Sequence, residues 1–404
     1  MAVNLHAPER IDAIAGAEWA VGEAAIKKPG RNDIALLKLA DTATVAGVFT
    51  RNAFAAAPVR LARDNLSQGR VRALLVNSGN ANAGTGRAGD ADARACCEAA
   101  ARALDVSPEQ VLPFSTGVIG QALPVARMQQ TIDTLGARLD GDGWLDAARA
   151  IMTTDTVEKG ASRAVEIGDG ARVTLSGIAK GSGMIRPDMA TMLAFIATDA
   201  RVAADDLDAA LREAMAGSFN AISVDGDTST NDACIACATG AGVTLGRGDT
   251  AWPAFVAALT DLARELAQAI VRDGEGATRF ITLAVSGARD ADEARAVAFT
   301  VAHSPLVKTA CFAGDPNWGR ILAAIGRAPV ADFSIDRVAI ALDEVAIVAG
   351  GEPRADYAEP DAAAVMAQSE YTIAIDLGRG DGRATVWTSD LSYEYVRINA
   401  EYRS

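Results

Sequence analysis

A chain of 404 residues, 50% hydrophobic and 22% charged, is long enough for one large layered domain with additions or for two domains, and its balance excludes a disordered protein. Its formal net charge of -14, with Lys and Arg scattered along the chain, excludes a nucleic-acid footprint. No run approaches the roughly 20 apolar residues of a membrane span, and acids appear early in MAVNLHAPERIDAIAGAEWA, unlike a signal peptide, so a cytoplasmic protein without membrane or nucleic-acid partners is expected.

In chain order, VRALLVNSG (71–79) reads as a buried strand running into a Gly/Asn loop. DADARACCEAAARAL (90–104) is an Ala-rich helix with acids in its first turn, where they suit the helix dipole. Ser107-Pro108-Glu109-Gln110 starts another helix, with Ser as N-cap, Pro at N1 and Gln at N3. The apolar run Met192 to Ile196 predicts a buried strand. AFVAALTDLARELAQAIVRDG places Phe255, Leu259, Leu262, Leu266 and Ile270 on one helical stripe, ended by Asp273-Gly274. The last third reads as strands, FITLAV, VAIALDEVAIV and YTIAIDLG, with one short helix, DAAAVMAQ, between them. YTIAIDLG then turns at Arg379-Gly380-Asp381-Gly382 into RATVWTSDL as a hairpin. The mixture, without a repeat of fixed period, predicts an α+β layered architecture, sheets covered by helices.

Several superficial motifs fail. SVDGDTSTND alternates oxygen ligands like a calcium loop, but Thr230 stands where that loop needs Gly and Ala236 where it needs Glu. The residues around Lys180-Gly181-Ser182 lack the glycine spacing of a phosphate loop, and Gly240-Ala241-Gly242 lacks the dinucleotide fingerprint. Cys234 and Cys237 form a C-x-x-C, but no second pair follows and the only histidines are His6 and His303, so they read as small apolar core residues and no metal site is expected. An odd count of five cysteines, two of them neighbours, fits a thiol-reduced compartment.

With two well-separated histidines a Ser-His-Asp triad is improbable, and a hydroxyl nucleophile needs another base. The α-amino group of the nucleophile's own residue, with an ordinary pKa near 8, can serve. KGSGMIRPDMATMLAFIATDA (180–200) suits that chemistry: a loop with Gly181, Gly183 and Pro187 delivers the small Ala190 and then Thr191 to the mouth of an apolar strand. The Thr191 hydroxyl could attack the carbonyl of Ala190, shift the acyl group from N to O and lose it to water. A plain Gly-rich turn into a core strand remains the other reading of these residues alone.

That stretch resembles the self-cleavage and nucleophile motif of the ornithine acetyltransferases, also called glutamate N-acetyltransferases, of the cyclic arginine pathway. The resemblance runs through essentially the whole chain: GVFTRN (47–52), VNSGNANAGTG (76–86), PFSTGVIG (113–120), IMTTDT (151–156), SFNAISVDGDTSTND (218–232), RDGEGATRF (272–280), SPLVKTACFAGDPNWGRI (304–321) and the terminal VRINAEYRS. Arg186 and Asp188 stand where more neutral residues are expected.

The resemblance implies a layered αββα-type sandwich with an additional smaller α/β portion, cut between Ala190 and Thr191 into an α chain (1–190) and a β chain (191–404) that share one core. It implies that Thr191 takes acetyl from N2-acetylornithine and passes it to glutamate, with Thr116 and Gly117 as the oxyanion hole. It assigns substrate contacts to Thr154, Lys180, Thr191, Glu275, Asn399 and Ser404. Lys180 suits a carboxylate, and Glu275 a side-chain ammonium or a moving proton. No cofactor is implied, although acetyl-coenzyme A is a conceivable second donor, and the pieces are expected to form a heterotetramer of two α and two β chains. The β-branched, aromatic run SYEYVRI would dock the tail as a strand. A self-processing amide hydrolase or aminopeptidase with a terminal threonine is the alternative.

Overall fold

The computed structural model describes residues 2–168, 170–186 and 192–401. The first half of the chain supplies strands β1 (Ala17–Gly22), β2 (Ile34–Leu39) and β3 (Thr44–Phe49), then helix α1 (Ala57–Ser67) and strand β4 (Ala73–Asn80). Helix α2 (Gly86–Leu104), strand β5 (Val111–Val118), helices α3 (Val125–Leu135) and α4 (Trp144–Ala150), and strands β6 (Lys159–Glu166) and β7 (Arg172–Lys180) follow. The second half opens with β8 (Leu193–Thr198), β9 (Arg201–Val202), α5 (Ala204–Ala216), β10 (Ile222–Ser223), β11 (Ala233–Ala238), β12 (Thr244–Leu245) and α6 (Trp252–Arg272). It continues through β13 (Phe280–Ala288), α7 (Ala291–Ala302), α8 (Pro305–Ala313) and α9 (Trp318–Gly326). It ends with β14 (Ala339–Leu342), β15 (Val345–Ala349), β16 (Glu352–Pro353), α10 (Glu359–Met366), β17 (Glu370–Asp376), β18 (Gly382–Ser389) and α11 (Tyr393–Ala400).

Strand alternation explains the layering. Along β8, Ala194 and Ile196 face one core while Leu193, Phe195 and Ala197 face another. β11 repeats the division, with Cys234 and Ala236 on the first side and Ala233, Ile235 and Cys237 on the second. The first core lies between the five-stranded sheet β3-β11-β8-β7-β6 and helices α5 and α6. There the expected stripe of α6, from Phe255 through Ile270, is buried. The second core lies between that sheet and the four-stranded sheet β1-β2-β4-β5, where Trp19, Trp144, Phe114 and Phe195 meet edge to face. The outer face of the four-stranded sheet packs on α1, α2 and α3. Helices, sheet, sheet and helices therefore stack in the expected αββα order. The additional portion is a seven-stranded sheet, β10-β18-β13-β17-β14-β15-β16, with its own core against α7 to α10. No single helix among the described residues is long and apolar enough to cross a membrane.

Four local expectations need correction. The turn at 379–382 does not make a hairpin: β13 lies between β17 and β18, parallel to one and antiparallel to the other. The turn instead wraps the end of β13, where the N–H groups of Leu377 and Arg379 donate to Ser286 and Gly287 carbonyls. Three helices, α7, α8 and α9, separate β13 from β14 in a region expected to hold none. The helix expected at Ser107 is a single 3-10 turn, Pro108–Gln110, because the apolar run beginning at Val111 goes directly into β5. The tail run SYEYVRI is helical rather than extended: Arg397 pairs with Glu394 and Glu401, one turn behind and one ahead, which favours a helix over a strand.

Candidate active site

The ends of three strands meet at one edge of the stacked sheets. β5 carries Thr116 and Gly117 near its end, β7 finishes on Lys180, and β8 starts just after Met192. Gly117 has φ +132°, and a Cβ there would stand 2.3 Å from the carbonyl carbon of Gly79, so only glycine permits this close pairing of β4 and β5. Between these ends lies a cavity of about 300 Å³, lined by Thr116, Gly117, Thr154, Lys180, Glu275 and Asn399 among others. Six of the candidate residues thus converge, although they come from strands, a loop and the C-terminal helix. Ala190, Thr191 and Ser404 lie outside the described residues; Met192, covalently next to Thr191, lines the same cavity.

Lys180 is buried, and its ammonium donates to Thr153 Oγ1 at 2.8 Å and Thr116 Oγ1 at 3.1 Å. A hydroxyl that accepts from an ammonium keeps its own hydrogen for a third partner. Burial pushes the Lys180 pKa down, with Asp155, whose carboxylate stands 3.8 Å away, pulling it back.

Behind Lys180 sits a buried ionic cluster. Lys159, with no side-chain exposure, donates to Asp155 Oδ1 at 2.7 Å and Asp273 Oδ2 at 2.6 Å. Burial alone would raise the Asp155 carboxyl, but Lys159 and Lys180 together hold it well below the usual carboxylate range. The cluster fastens three chain segments. Asp155 accepts from the Gly181 N–H at 2.7 Å, Asp273 accepts from the Thr156 N–H at 2.8 Å, and the Ser182 hydroxyl donates to the Asp273 carbonyl at 2.6 Å. Glu275 follows on, its N–H donating to Ser182 O at 2.8 Å and its carboxylate accepting from Asn399 Nδ2 at 2.8 Å. A Cβ at Gly183 would come within 2.4 Å of Glu275 Oε2, so a side chain there would displace that carboxylate.

Sequence reasoning missed Asp155, Lys159, Asp273 and the buried Asp232, which also lines the cavity. Asp155, Asp232 and Asp273 stand within the motifs that carry the resemblance and Lys159 three residues beyond one, which was their only signal. The C-x-x-C reads as expected: all five cysteines are free and buried, and Cys234 and Cys237 belong to cores on opposite faces of β11. Burial pushes the Cys237 thiol up to about 12. His303 lies outside the cavity, its Nε2 2.9 Å from Ser223 Oγ, and burial with nearby Arg186 and Lys308 pushes its pKa down to about 4.

The chain is 54% identical to the arginine biosynthesis bifunctional protein ArgJ of Methylococcus capsulatus, over 98% of this chain and 97% of that one. Among solved structures, the arginine biosynthesis bifunctional protein ArgJ of Bacillus halodurans is 39% identical, covering 52% of this chain and 99% of its own, with a TM-score of 0.50. The ornithine acetyltransferase of Mycobacterium tuberculosis, solved with ornithine, is 37% identical over 44% of this chain and 94% of its own, with a TM-score of 0.39. A model of the ArgJ family matches residues 18–404, so with a cavity where the strand ends meet and a sequence alike from end to end, the chain belongs to the ArgJ family.

Proposed function

We propose that this enzyme of arginine biosynthesis moves the acetyl group of N2-acetylornithine to glutamate through an ester on Thr191. The observation that carries the reading is convergence: Thr116, Gly117, Lys180 and Glu275 line one cavity with Met192, the residue joined to Thr191. Thr191 attacks the acetyl carbonyl, its own α-amino group takes the hydroxyl proton and then protonates the departing ornithine, and the amine of glutamate removes the acetyl from the ester. Thr116 and Gly117 face the developing oxyanion. Lys180, by donating to Thr116 Oγ1, leaves the Thr116 hydrogen free for that oxygen, and one such donor is typically worth about 3 kcal/mol. Glu275, fixed by Asn399 and kept clear by Gly183, takes the ornithine side-chain ammonium. Thr154 and Ser404 complete the substrate contacts.

A free α-amino group at Thr191 requires a cut after Ala190, giving pieces 1–190 and 191–404. The Bacillus halodurans structure supports it: nearly all of that polypeptide matches about half of this chain, so it is about half as long. Intact-mass measurement should find the two pieces, and Thr191→Ala should give one uncut, inactive chain; a Thr191→Ala variant cut at the same bond would end this mechanism. Labelled acetylornithine should yield acetylglutamate when glutamate is present, whereas a hydrolase would yield acetate.

The description of curated relatives as bifunctional favours a second donor, acetyl-coenzyme A, attacked by the same threonine. Acetylglutamate formed from it without acetylornithine tests that reading. The free, buried cysteines support a cytoplasmic, thiol-reduced setting. Two copies of each piece would form a heterotetramer, which sedimentation at several concentrations can weigh.

A further inference from the structure

Asp232 stands one residue before β11, and β11 runs parallel to β8 with Ala233 opposite Leu193. That register brings its side chain to the head of β8. The N–H of Ala233 donates to the Met192 carbonyl at 2.9 Å, which sets Asp232 beside Met192 at the strand ends. The residue is 3% exposed and lines the cavity that holds Thr116 and Lys180. Its second oxygen, Oδ2, is buried without a hydrogen-bond partner among the described residues. Such an atom is costly in a folded protein and calls for a functional explanation. The neighbouring Asn231 does not share this condition, since its Nδ2 donates to Ala81 O at 2.6 Å and Ser115 O at 2.8 Å.

The Met192 nitrogen is bonded to the carbonyl carbon of Thr191, so the path from it to the Thr191 nitrogen runs only through that carbon and its Cα. A carboxyl set beside Met192 by the β8–β11 register is therefore one residue along the chain from the Thr191 α-amino group. We propose that Asp232 is a positioning residue for acyl transfer, its free oxygen accepting a hydrogen bond from the Thr191 α-amino group and stabilising the ammonium formed there. This rests on the functional reading above. In the step concerned, the Thr191 oxygen bonds to the acetyl carbon as its proton passes to the amine. The ammonium then gives that proton to the ornithine nitrogen as the amide C–N bond breaks. Asp232 takes no proton in the cycle; it holds the amine and balances its charge.

The electrostatics suit the role. Burial lifts the Asp232 carboxyl well above the usual range, opposed by Ser229, Lys180 and the Met192 N–H. Lys180 is itself shared with Asp155, repelled by Lys159 and attracted by Glu275. A carboxylate so placed is stabilised by a neighbouring cation, and the ammonium formed on Thr191 adds one to Lys180.

The test is Asp232→Asn in the full-length chain, beside wild type, followed by intact mass, melting temperature and initial exchange rates across pH. The amide keeps the size of the side chain and one oxygen, and loses the charge and the second acceptor. The expected variant is cut and melts near wild type, with kcat down on the order of 100-fold and KM for acetylornithine nearly unchanged. The acidic limb of its pH–rate profile should move to lower pH by about one unit, because removing a negative neighbour lowers an amine's pKa. A cut variant with wild-type kcat, or with that limb unmoved, overturns the role. So does a folded variant that stays uncut, which would place the carboxyl in the cutting step. Should the variant not fold, competitive labelling of the wild-type Thr191 amine decides: titration at or above about 8 supports the carboxylate partner, and titration below that overturns it. An uncut wild type that makes no acetylglutamate overturns the functional reading itself, whereas active wild type beside an unchanged variant overturns Asp232 alone.

Discussion

At Glu275 the carboxylate is oriented by Asn399 and shielded by the missing side chain of Gly183, while its backbone N–H is tied to Ser182. Replacing it with Gln preserves the shape and the backbone bond but removes the charge. Glu275→Gln should therefore lower exchange about tenfold or more, mainly through KM for acetylornithine, and leave the cut complete; unchanged exchange kinetics would make it a turn residue. Lys159 has a different duty. Replaced by Met, it leaves Asp155 and Asp273 buried without their shared cation, and removing one partner from a buried pair typically costs about 3–5 kcal/mol. Urea unfolding should register that loss, and a wild-type midpoint for Lys159→Met would show the cluster to be slack. The sign with pH follows from Asp155, whose folded pKa is depressed. Its contribution is present above the ordinary carboxylate range and is lost only as pH falls through the lowered value, so neutral and mildly acidic conditions should leave it intact. Glu275 was legible because it stands between two glycines in a recognised motif. The Lys159 to Asp273 contact joins residues 114 positions apart, a pairing that only the sheet-to-helix packing creates.

Among the elements, those with strong periodicity were readable from sequence: the stripe of α6 and the fully apolar β8 stand where their residues place them. Pairing order was not, because β17 and β18 look like a hairpin to any local rule, and β13, the strand that divides them, is supplied from far upstream. The tail failed for a related reason. β-branched and aromatic residues favour strands only when a sheet offers packing, and α11 buries none of its residues. It is tethered at points instead: Ser392 Oγ to Gly276 O at 2.6 Å, Tyr395 Oη to Asp225 Oδ2 at 3.3 Å, and Asn399 to Glu275. Deleting residues 399–404 removes the last tether and spares the other two. Exchange should fall a hundredfold or more, at about 1.5–3 kcal/mol for each lost bond to a charged group, while melting temperature and self-cutting change little. Wild-type exchange in the truncated chain would make the tail an ordinary terminus, and joint loss of cutting, melting and exchange would make it structural.

Across the whole molecule, the αββα order was expected from the resemblance and its physical cause is the alternation along β8 and β11. The larger consequence lies in who neighbours whom. In the five-stranded sheet, β11 and β8, from the second half, are flanked by β3 on one side and β7 on the other, both from the first. The first core likewise mixes Val48, Leu175 and Ala179 with Ile196, Leu211 and Phe255. The proposed pieces should therefore comigrate through every native separation and part only in denaturant.

That interleaving also makes the proposed cut a change in reaction order. An uncut chain folds at a rate independent of its concentration, since every strand of the sheet is tethered to the next. After the cut, a denatured molecule must recover its sheet by finding a second polypeptide, an event whose rate scales with concentration. Refolding of Thr191→Ala should be first order, and refolding of the processed protein should slow on dilution and favour aggregation of the orphaned β8 and β11 edges. Equal refolding of both at every concentration would contradict a two-piece sheet. A processed molecule would then owe its persistence to slow unfolding rather than to ready recovery, with the bond after Ala190 acting as a ratchet that lets the sheet be assembled intramolecularly only once.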